Sequence, residues 1–310
     1  MRISVYITSF NKGKYLEKSI ISVLNQSLKP YELIIVDDFS SDNSREIITA
    51  FKNRYPGFVK TFFNEQNHGV ARSRNQAISM CKGQIITYLD GDDIFYENKI
   101  KTEYDCLVEN ANTQVVYSNF NYIDENDIPL KLFASVNDNP PEGNIFSNTF
   151  LRDYNVSSGG NYIYEMFYKT SYLKAGEYDE NVNIWEDWDL RIRMSKDSNY
   201  RYCPTLNSAY RKLNKGLHGS NLETHYSEQL KIYLKNKKLL NHLSKDEKNT
   251  IKNKIYSRLK FFLIEIITEK RMEGENISAL GYLIKFLMVF RMKKAAGFFI
   301  KNIFLVKNSK

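Results

Sequence analysis

Tyr88-Leu89-Asp90-Gly91-Asp92-Asp93 decides how this chain of 310 residues is read. It sets three carboxylates directly after an apolar run, Gln84-Ile85-Ile86-Thr87-Tyr88-Leu89, that has the composition of a buried strand. Like charges crowded at a strand end repel one another unless a cation neutralises them. Mg²⁺ and Mn²⁺ suit such a place, because hard divalent ions take oxygen ligands and bridge carboxylates to substrate phosphates. Alone, a D-x-D-D is more often an acidic turn closing a strand, so its surroundings decide.

Upstream, residues 3–9 read as a first strand, and Asn11-Lys12-Gly13-Lys14 as a turn. Leu16, Ile20, Ile21, Val23 and Leu24 then recur at helical spacing. Glu32-Leu33-Ile34-Ile35-Val36 is a second buried strand, followed by a loop, Asp37 to Ser44, rich in residues that cap helices. A helix near 44–53, a strand over 59–63, a helix over 70–81 and the strand before Asp90 complete the pattern. Strands alternating with helices imply a parallel α/β sheet with right-handed crossovers. Ligands of such sheets bind beyond the carboxyl ends of the strands, where Asp37, Asp38, Asp90, Asp92 and Asp93 all fall. The chain has no G-x-G-x-x-G after the first strand and no G-x-x-x-x-G-K-[ST] anywhere. Both glycine-rich phosphate cradles are therefore excluded, and a phosphate-bearing ligand would need a metal and basic side chains.

The net charge of +8 raises the question of nucleic acid, but its location argues against that class. Seven basic and no acidic residues lie in 276–310, which leaves about +1 for the rest. A nucleic-acid binder more often spreads its basic residues over a folded face. Cys81, Cys106 and Cys203 are odd in number and widely spaced, which fits a reducing cytoplasm better than a disulfide framework. No secretory leader is expected, because the apolar run after Met1-Arg2 is short and lacks a cleavage pattern.

Beyond Asn110 the pattern changes: a strand at 115–118, loop-rich residues 124–160, then Ile184-Trp185-Glu186-Asp187-Trp188-Asp189-Leu190-Arg191. Apolar spacing from Trp188 onward puts Glu186 and Asp187 at a helix N-terminus, where the helix dipole favours ionised carboxylates.

Five segments share one order: Ser4 to Asn11, Val36-Asp37-Asp38-Phe39-Ser40-Ser41-Asp42, Gly69 to Asn75, Asp90-Gly91-Asp92-Asp93 and Glu186-Asp187. Together they resemble a GT-A family 2 glycosyltransferase, and within that family the bacterial surface-polysaccharide, capsule and teichoic-acid group. The resemblance implies a Rossmann-like GT-A fold over residues 1–225, with 1–110 binding nucleotide and 111–225 binding acceptor, and a mainly helical extension over 226–310. It implies that Thr8, Phe10 and Asp38 surround the base, Asp38 accepting the base N3 proton. Arg74 would lie near the nucleotide and Asp90 would bind the ribose. Asp92 would ligate Mn²⁺ or Mg²⁺ with support from Asp93. Asp187 would be the base of an inverting transfer, with Glu186 orienting it. Trp185 and Trp188 would desolvate that base and raise its pKa. Tyr210-Arg211 to His218 resembles the family's closing loop with a longer spacing, which implies Arg211 at the diphosphate and His218 at the metal or phosphate. The donor would be a UDP- or dTDP-sugar and the acceptor a glycan or lipid-linked glycan. A non-catalytic sugar-nucleotide-binding or scaffold subunit is the alternative.

The terminal segment alternates lysines with runs such as Phe298-Phe299-Ile300 and is too interrupted to span a bilayer. A basic amphipathic helix fits peripheral contact with the inner face of the cell membrane. Packing on the catalytic domain or on a second subunit fits equally, so a homo-oligomer stays open.

Overall fold

The computed structural model describes residues 1–213 and 221–290. These fall into two compact units: the described residues of Met1–His218 with Asn236–Leu240, and those of Gly219–Lys235 with Asn241–Lys310. The expected boundary at 225 falls inside the first helix of the second unit, which starts at Leu222.

The first unit opens with β1 (Ile3–Ser9), α1 (Gly13–Leu24), β2 (Glu32–Asp37), α2 (Ser44–Arg54), β3 (Val59–Phe63), α3 (Val70–Met80) and β4 (Ile85–Asp90). Every residue of β1 and β2 is buried, as continuous Val/Ile-rich runs require when helices cover both sheet faces. Next come β5 (Ile94–Phe95), α4 (Lys99–Val108), β6 (Val115–Ile123), β7 (Pro129–Leu132) and α5 (Phe146–Leu151). The unit continues with β8 (Met166–Tyr168), α6 (Lys169–Ala175), α7 (Glu186–Asp197) and β9 (Tyr200–Arg211).

The strands form one sheet in the order β3-β2-β1-β4-β8-β6-β9-β5, with β7 on β6. The parallel arrangement expected from the alternation over residues 3–89 holds for β1 to β4, and later strands make the whole sheet mixed. β1 to β4 are parallel, but β8 runs antiparallel to both β4 and β6. The strand expected at 115–118 continues to Ile123 because β9 pairs beside it over its whole length. The stretch expected to be loop-rich, 124–160, contains β7 and α5.

The second unit contains α8 (Leu222–Asn236), of which residue 236 belongs to the first unit, then α9 (Lys245–Met272) and α10 (Asn276–Val289). Ser244 caps α9 and exchanges hydrogen bonds with Glu247 in a capping box. Ile251, Ile255, Leu259, Leu263 and Ile266 form its buried stripe. Among the described residues no helix is long and apolar enough to cross a membrane.

Candidate active site

Three parallel strands end together, and their register assembles the site. Thr8 on β1 stands opposite Asp90 on β4 and Val36 on β2, and Ser9 stands opposite Asp37. Sheet order reverses here, since β2 and β3 lie on one side of β1 and β4 on the other, which is the usual crevice for a ligand. Gly91 lets the chain turn tightly over β1. Its N–H donates to the Thr8 carbonyl at 3.1 Å. A Cβ there would lie 3.2 Å from that same oxygen and from Leu16 Cδ1.

The three carboxylates after β4 have different surroundings. Asp90 remains 31% exposed and accepts from Arg74 Nη2 at 2.9 Å. Asp92 is paired with the Lys12 ammonium. Burial pushes the Asp92 carboxyl up and Lys12 opposes that shift. Asp93 is 1% exposed and accepts from the Tyr164 hydroxyl and the Arg211 backbone N–H. Burial, with Asp92 and Asp90 nearby, pushes its pKa well up. Asp93, expected to support or share metal ligation, ties the strand end to β9 through these two hydrogen bonds.

The Val36-Asp37-Asp38 loop is equally divided. Asp37 is fully buried and accepts from the Ser40 N–H at 3.0 Å and from Arg45 Nε at 2.8 Å, so it shapes its own loop. Asp38 accepts from Asn64 Nδ2 at 2.7 Å, His68 N–H at 2.9 Å and Gly69 N–H at 2.8 Å, pinning the segment that enters α3. Phe10 and Phe39, just past β1 and β2, stay 44% and 48% exposed.

Arg74 is not a surface residue of α3. Only 5% exposed, it reaches Asp90 with one nitrogen and Glu186 with the other, at 3.1 Å, above the rings of Tyr88 and Tyr178. Glu186 and Asp187 open α7, as their position before the apolar spacing implied. Trp185 precedes them in the left-handed region, φ 70°, which is strained for a bulky side chain. The Arg152 guanidinium lies 3.8 Å from its ring centroid.

Burial pushes Glu186 up to about 7, with Asp187 adding to the shift and Arg74 opposing it. Asp187 behaves in the opposite way from the expectation of a raised pKa. Burial would lift it, but Arg191, Arg74 and Arg152 hold it below the usual carboxylate range. Arg191 Nη1 donates to Asp187 Oδ2 at 2.7 Å, and the Trp188 N–H donates to Oδ1 at 2.8 Å. Behind it Arg191 is fixed to Glu165 at 2.9 and 2.8 Å and to the Tyr88 hydroxyl at 2.8 Å. Trp188 is 3% exposed and its indole N–H goes to the Thr149 carbonyl, so it packs α7 against α5.

Arg211, expected at the diphosphate, lies at the end of β9 beside the acidic loop. It is 3% exposed, donates to the carbonyls of Asp92 and Asp124 at 2.8 Å each, and pairs with Asp127. His218 lies outside the described residues. Thr8 is 9% exposed and its hydroxyl lies 3.4 Å from Asp90 Oδ1. Sequence reasoning missed Lys12, Arg152, Glu165 and Arg191. Only the spacing of Asp187 and Arg191, one helical turn apart, carried a signal for one of them.

The residues fit a metal in a limited sense. Among the described residues no group of three His, Cys, Asp or Glu side chains could hold an ion. Asp92 offers one carboxylate of the right chemistry, which suits an ion that also takes phosphate oxygens from a substrate.

Residues 4–159, half of the chain, match the family described as Glycosyl transferase family 2. The chain belongs to that family. It is 40% identical over 125 residues to glycosyltransferase GlyG of Streptococcus pneumoniae, covering 40% of this chain and 41% of GlyG. It is 33% identical over 190 residues to the minor teichoic acid biosynthesis protein GgaA of Bacillus subtilis, covering 59% of this chain and 41% of GgaA. The chain therefore spans about two fifths of the length of these two relatives. Among solved structures, S. aureus TarS 1–349 in complex with UDP-GlcNAc superposes with a TM-score of 0.69 at 18% identity, covering 92% of this chain and 81% of that one. The fold is thus the GT-A fold of a glycosyltransferase, with a helical C-terminal region.

Proposed function

We propose that this chain transfers a sugar from a UDP-sugar, or a dTDP-sugar, to a hydroxyl of a glycan acceptor, inverting the anomeric carbon with the help of a divalent ion. One observation carries the reading: Arg74 grips Asp90, at the end of β4, and Glu186, beside Asp187, with a single guanidinium. That shared ion pairing supports the reading of Asp90 as donor-side and Glu186 as base-side in a single site.

In this reading Phe10 stacks on the base, Asp38 accepts its N3 proton, and Thr8 and Asp90 face the ribose. Asp187 takes the proton of the acceptor hydroxyl as the acceptor oxygen bonds to the anomeric carbon. The bond from that carbon to the diphosphate oxygen breaks and the nucleotide leaves with the electron pair. Asp92 would hold a divalent ion, Mg²⁺ or Mn²⁺, which would supply positive charge for the leaving diphosphate. Arg191 keeps Asp187 ionised and oriented, while the Asp187 side chain remains 29% exposed. The UDP-GlcNAc bound to TarS supports a UDP-sugar, and the role in GgaA's name supports a surface polysaccharide as product.

Transfer or hydrolysis across a panel of UDP- and dTDP-sugars with Mn²⁺ tests the proposal. Activity lost in Asp187→Asn with nucleotide binding retained is the expected result. Nucleotide binding without turnover in the wild type would instead favour the scaffold alternative. For the helical unit we propose peripheral contact with an anionic membrane, because α10 leaves Ile277, Ile284 and Met288 exposed and every charged side chain in 276–310 is basic. Equal sedimentation of wild type and an Ile284→Glu, Met288→Glu variant with phosphatidylglycerol vesicles would remove that part.

A further inference from the structure

The counter-charge of Asp92 is an ammonium of the chain itself. Lys12, the residue just before α1, crosses to the end of β4 and pairs with the Asp92 carboxylate. Its backbone is fixed by a 3.1 Å hydrogen bond from its N–H to Ser44 Oγ. Its Cβ would stand 3.4 Å from a side chain started at Gly91, so the same glycine that turns the acidic loop admits the lysine. Asp90 and Asp93 also act on this ammonium. Lys12 thus supplies the direct counter-charge for Asp92, while Asp90 is paired with Arg74.

We propose that Lys12 is the resident cation of the donor site, so that a divalent ion alone competes poorly for Asp92 and enters together with the diphosphate of the donor. The inference rests on the donor reading given above. Asp92 is largely buried, with 12% of its side chain exposed, and a buried carboxylate that loses its partner carries a large penalty. A metal ion arriving alone would relieve that penalty, yet it would stand beside a displaced ammonium of like charge. A diphosphate removes the conflict, because its oxygens can serve both the ion and the freed ammonium. Lys12 therefore couples occupancy of the cation site to the presence of a diphosphate, and it selects against nucleosides that lack one.

The test is Mn²⁺ binding, followed by the EPR signal of free Mn²⁺, to wild type, Lys12→Met, Lys12→Arg and Asp92→Asn, with and without UDP and with no sugar transfer involved. Wild type is expected to bind Mn²⁺ alone weakly and to bind it much more tightly with UDP. Lys12→Met should bind Mn²⁺ alone about tenfold more tightly than wild type, the scale of removing one competing ion pair, and gain less from UDP. Lys12→Arg keeps the charge and should behave as wild type. Should the methionine variant fail to fold, as judged by thermal unfolding, Lys12→Gln replaces it with the same expectation. Equal or weaker nucleotide-free Mn²⁺ binding in the charge-less variant overturns the proposal. Failure of wild type to bind Mn²⁺ even with UDP overturns the donor reading instead, and loss of the UDP-dependent binding in Asp92→Asn identifies Asp92 as the shared partner.

Discussion

Asp90 and Glu186 are held by the same guanidinium: Arg74 Nη2 lies 2.9 Å from one carboxylate and Nη1 3.1 Å from the other. The two acids are far apart in sequence, Asp90 ending β4 and Glu186 opening α7. Arg74 is therefore a positioning residue for both halves of the site. Lysine at this position has one charged nitrogen and cannot span both partners. Arg74→Lys is expected to lower kcat/KM about a hundredfold through misplacement. Arg74→Met should also lower stability by about 3 kcal/mol, because it leaves the buried Glu186 carboxylate without its counter-charge. Steady-state kinetics and urea unfolding of the two variants measure these effects. Wild-type kinetics in Arg74→Lys would show that the shared grip is incidental.

Arg191 sets the charge of Asp187, the proposed base. Asp187 faces Arg191 on its own helix, Arg74 from α3, Arg152 just after α5, and Glu186 beside it, and it acts on Tyr210 of β9. Its pKa is lowered, so Asp187 itself stays ionised as pH falls through the usual carboxylate range. Arg191→Met removes the opposite charge with the shortest contact, and the acid limb of kcat/KM should move up by about one unit or more. Arg191→Lys should move it less. An unmoved limb in Arg191→Met, with a folded protein, would leave Arg191 a packing residue only.

Glu186 has the opposite sign. Burial raises its pKa in the folded chain to about 7, above the value of 4.5 that an unhindered glutamate carries. Between those two values the folded state holds a proton that the unfolded state has lost, so this group's contribution falls as pH rises from 4.5 to about 7. Glu186→Gln cannot titrate and should flatten that part of the curve. Melting temperatures of wild type and Glu186→Gln at pH 5, 6 and 8 give the comparison. The variant should gain on wild type toward pH 8, and parallel curves would contradict the shift. The Lys99–Glu103 pair, also buried and with Glu103 raised to about 7, is present in both proteins and cancels in the difference.

What could be read in the sequence was whatever lies on one strand or one helix. Continuous apolar runs ending in Asp37 and Asp90 marked two strand ends, and the apolar spacing after Asp187 marked a helix start. What could not be read depends on chain segments meeting across the sheet. Periodicity says which face of α3 is buried, but not that Arg74 on that face meets Glu186. It does not reveal that β8 inserts antiparallel between β4 and β6, which brings Tyr164 and Glu165 beneath the site. The different surroundings of Asp92 and Asp93, adjacent in sequence, likewise come from β9: Arg211 closes over Asp93 with its own N–H and leaves Asp92 facing Lys12.

Two glycines separate stability from site geometry. A Cβ at Gly83 would stand 2.7 Å from the Arg2 carbonyl oxygen and the Ser4 nitrogen, both backbone atoms that cannot yield cheaply. At Gly91 the tightest contacts are 3.2 Å, to the Thr8 carbonyl and the flexible end of Leu16. Overpacking against rigid backbone costs about 1–3 kcal/mol or more, so Gly83→Ala should destabilise clearly while its surviving folded fraction binds nucleotide normally. Gly91→Ala should cost less stability, since a few tenths of an ångström relieve it. That same shift lifts Asp90 and Asp92 off β1, away from Thr8 and Lys12. Its expected signature is weaker UDP binding by about tenfold, equivalent to about 1.4 kcal/mol, at a melting temperature above that of Gly83→Ala. Calorimetric titration with UDP beside thermal unfolding distinguishes the two, and the reverse ranking would mean that the acidic loop is not seated on β1 as the geometry has it.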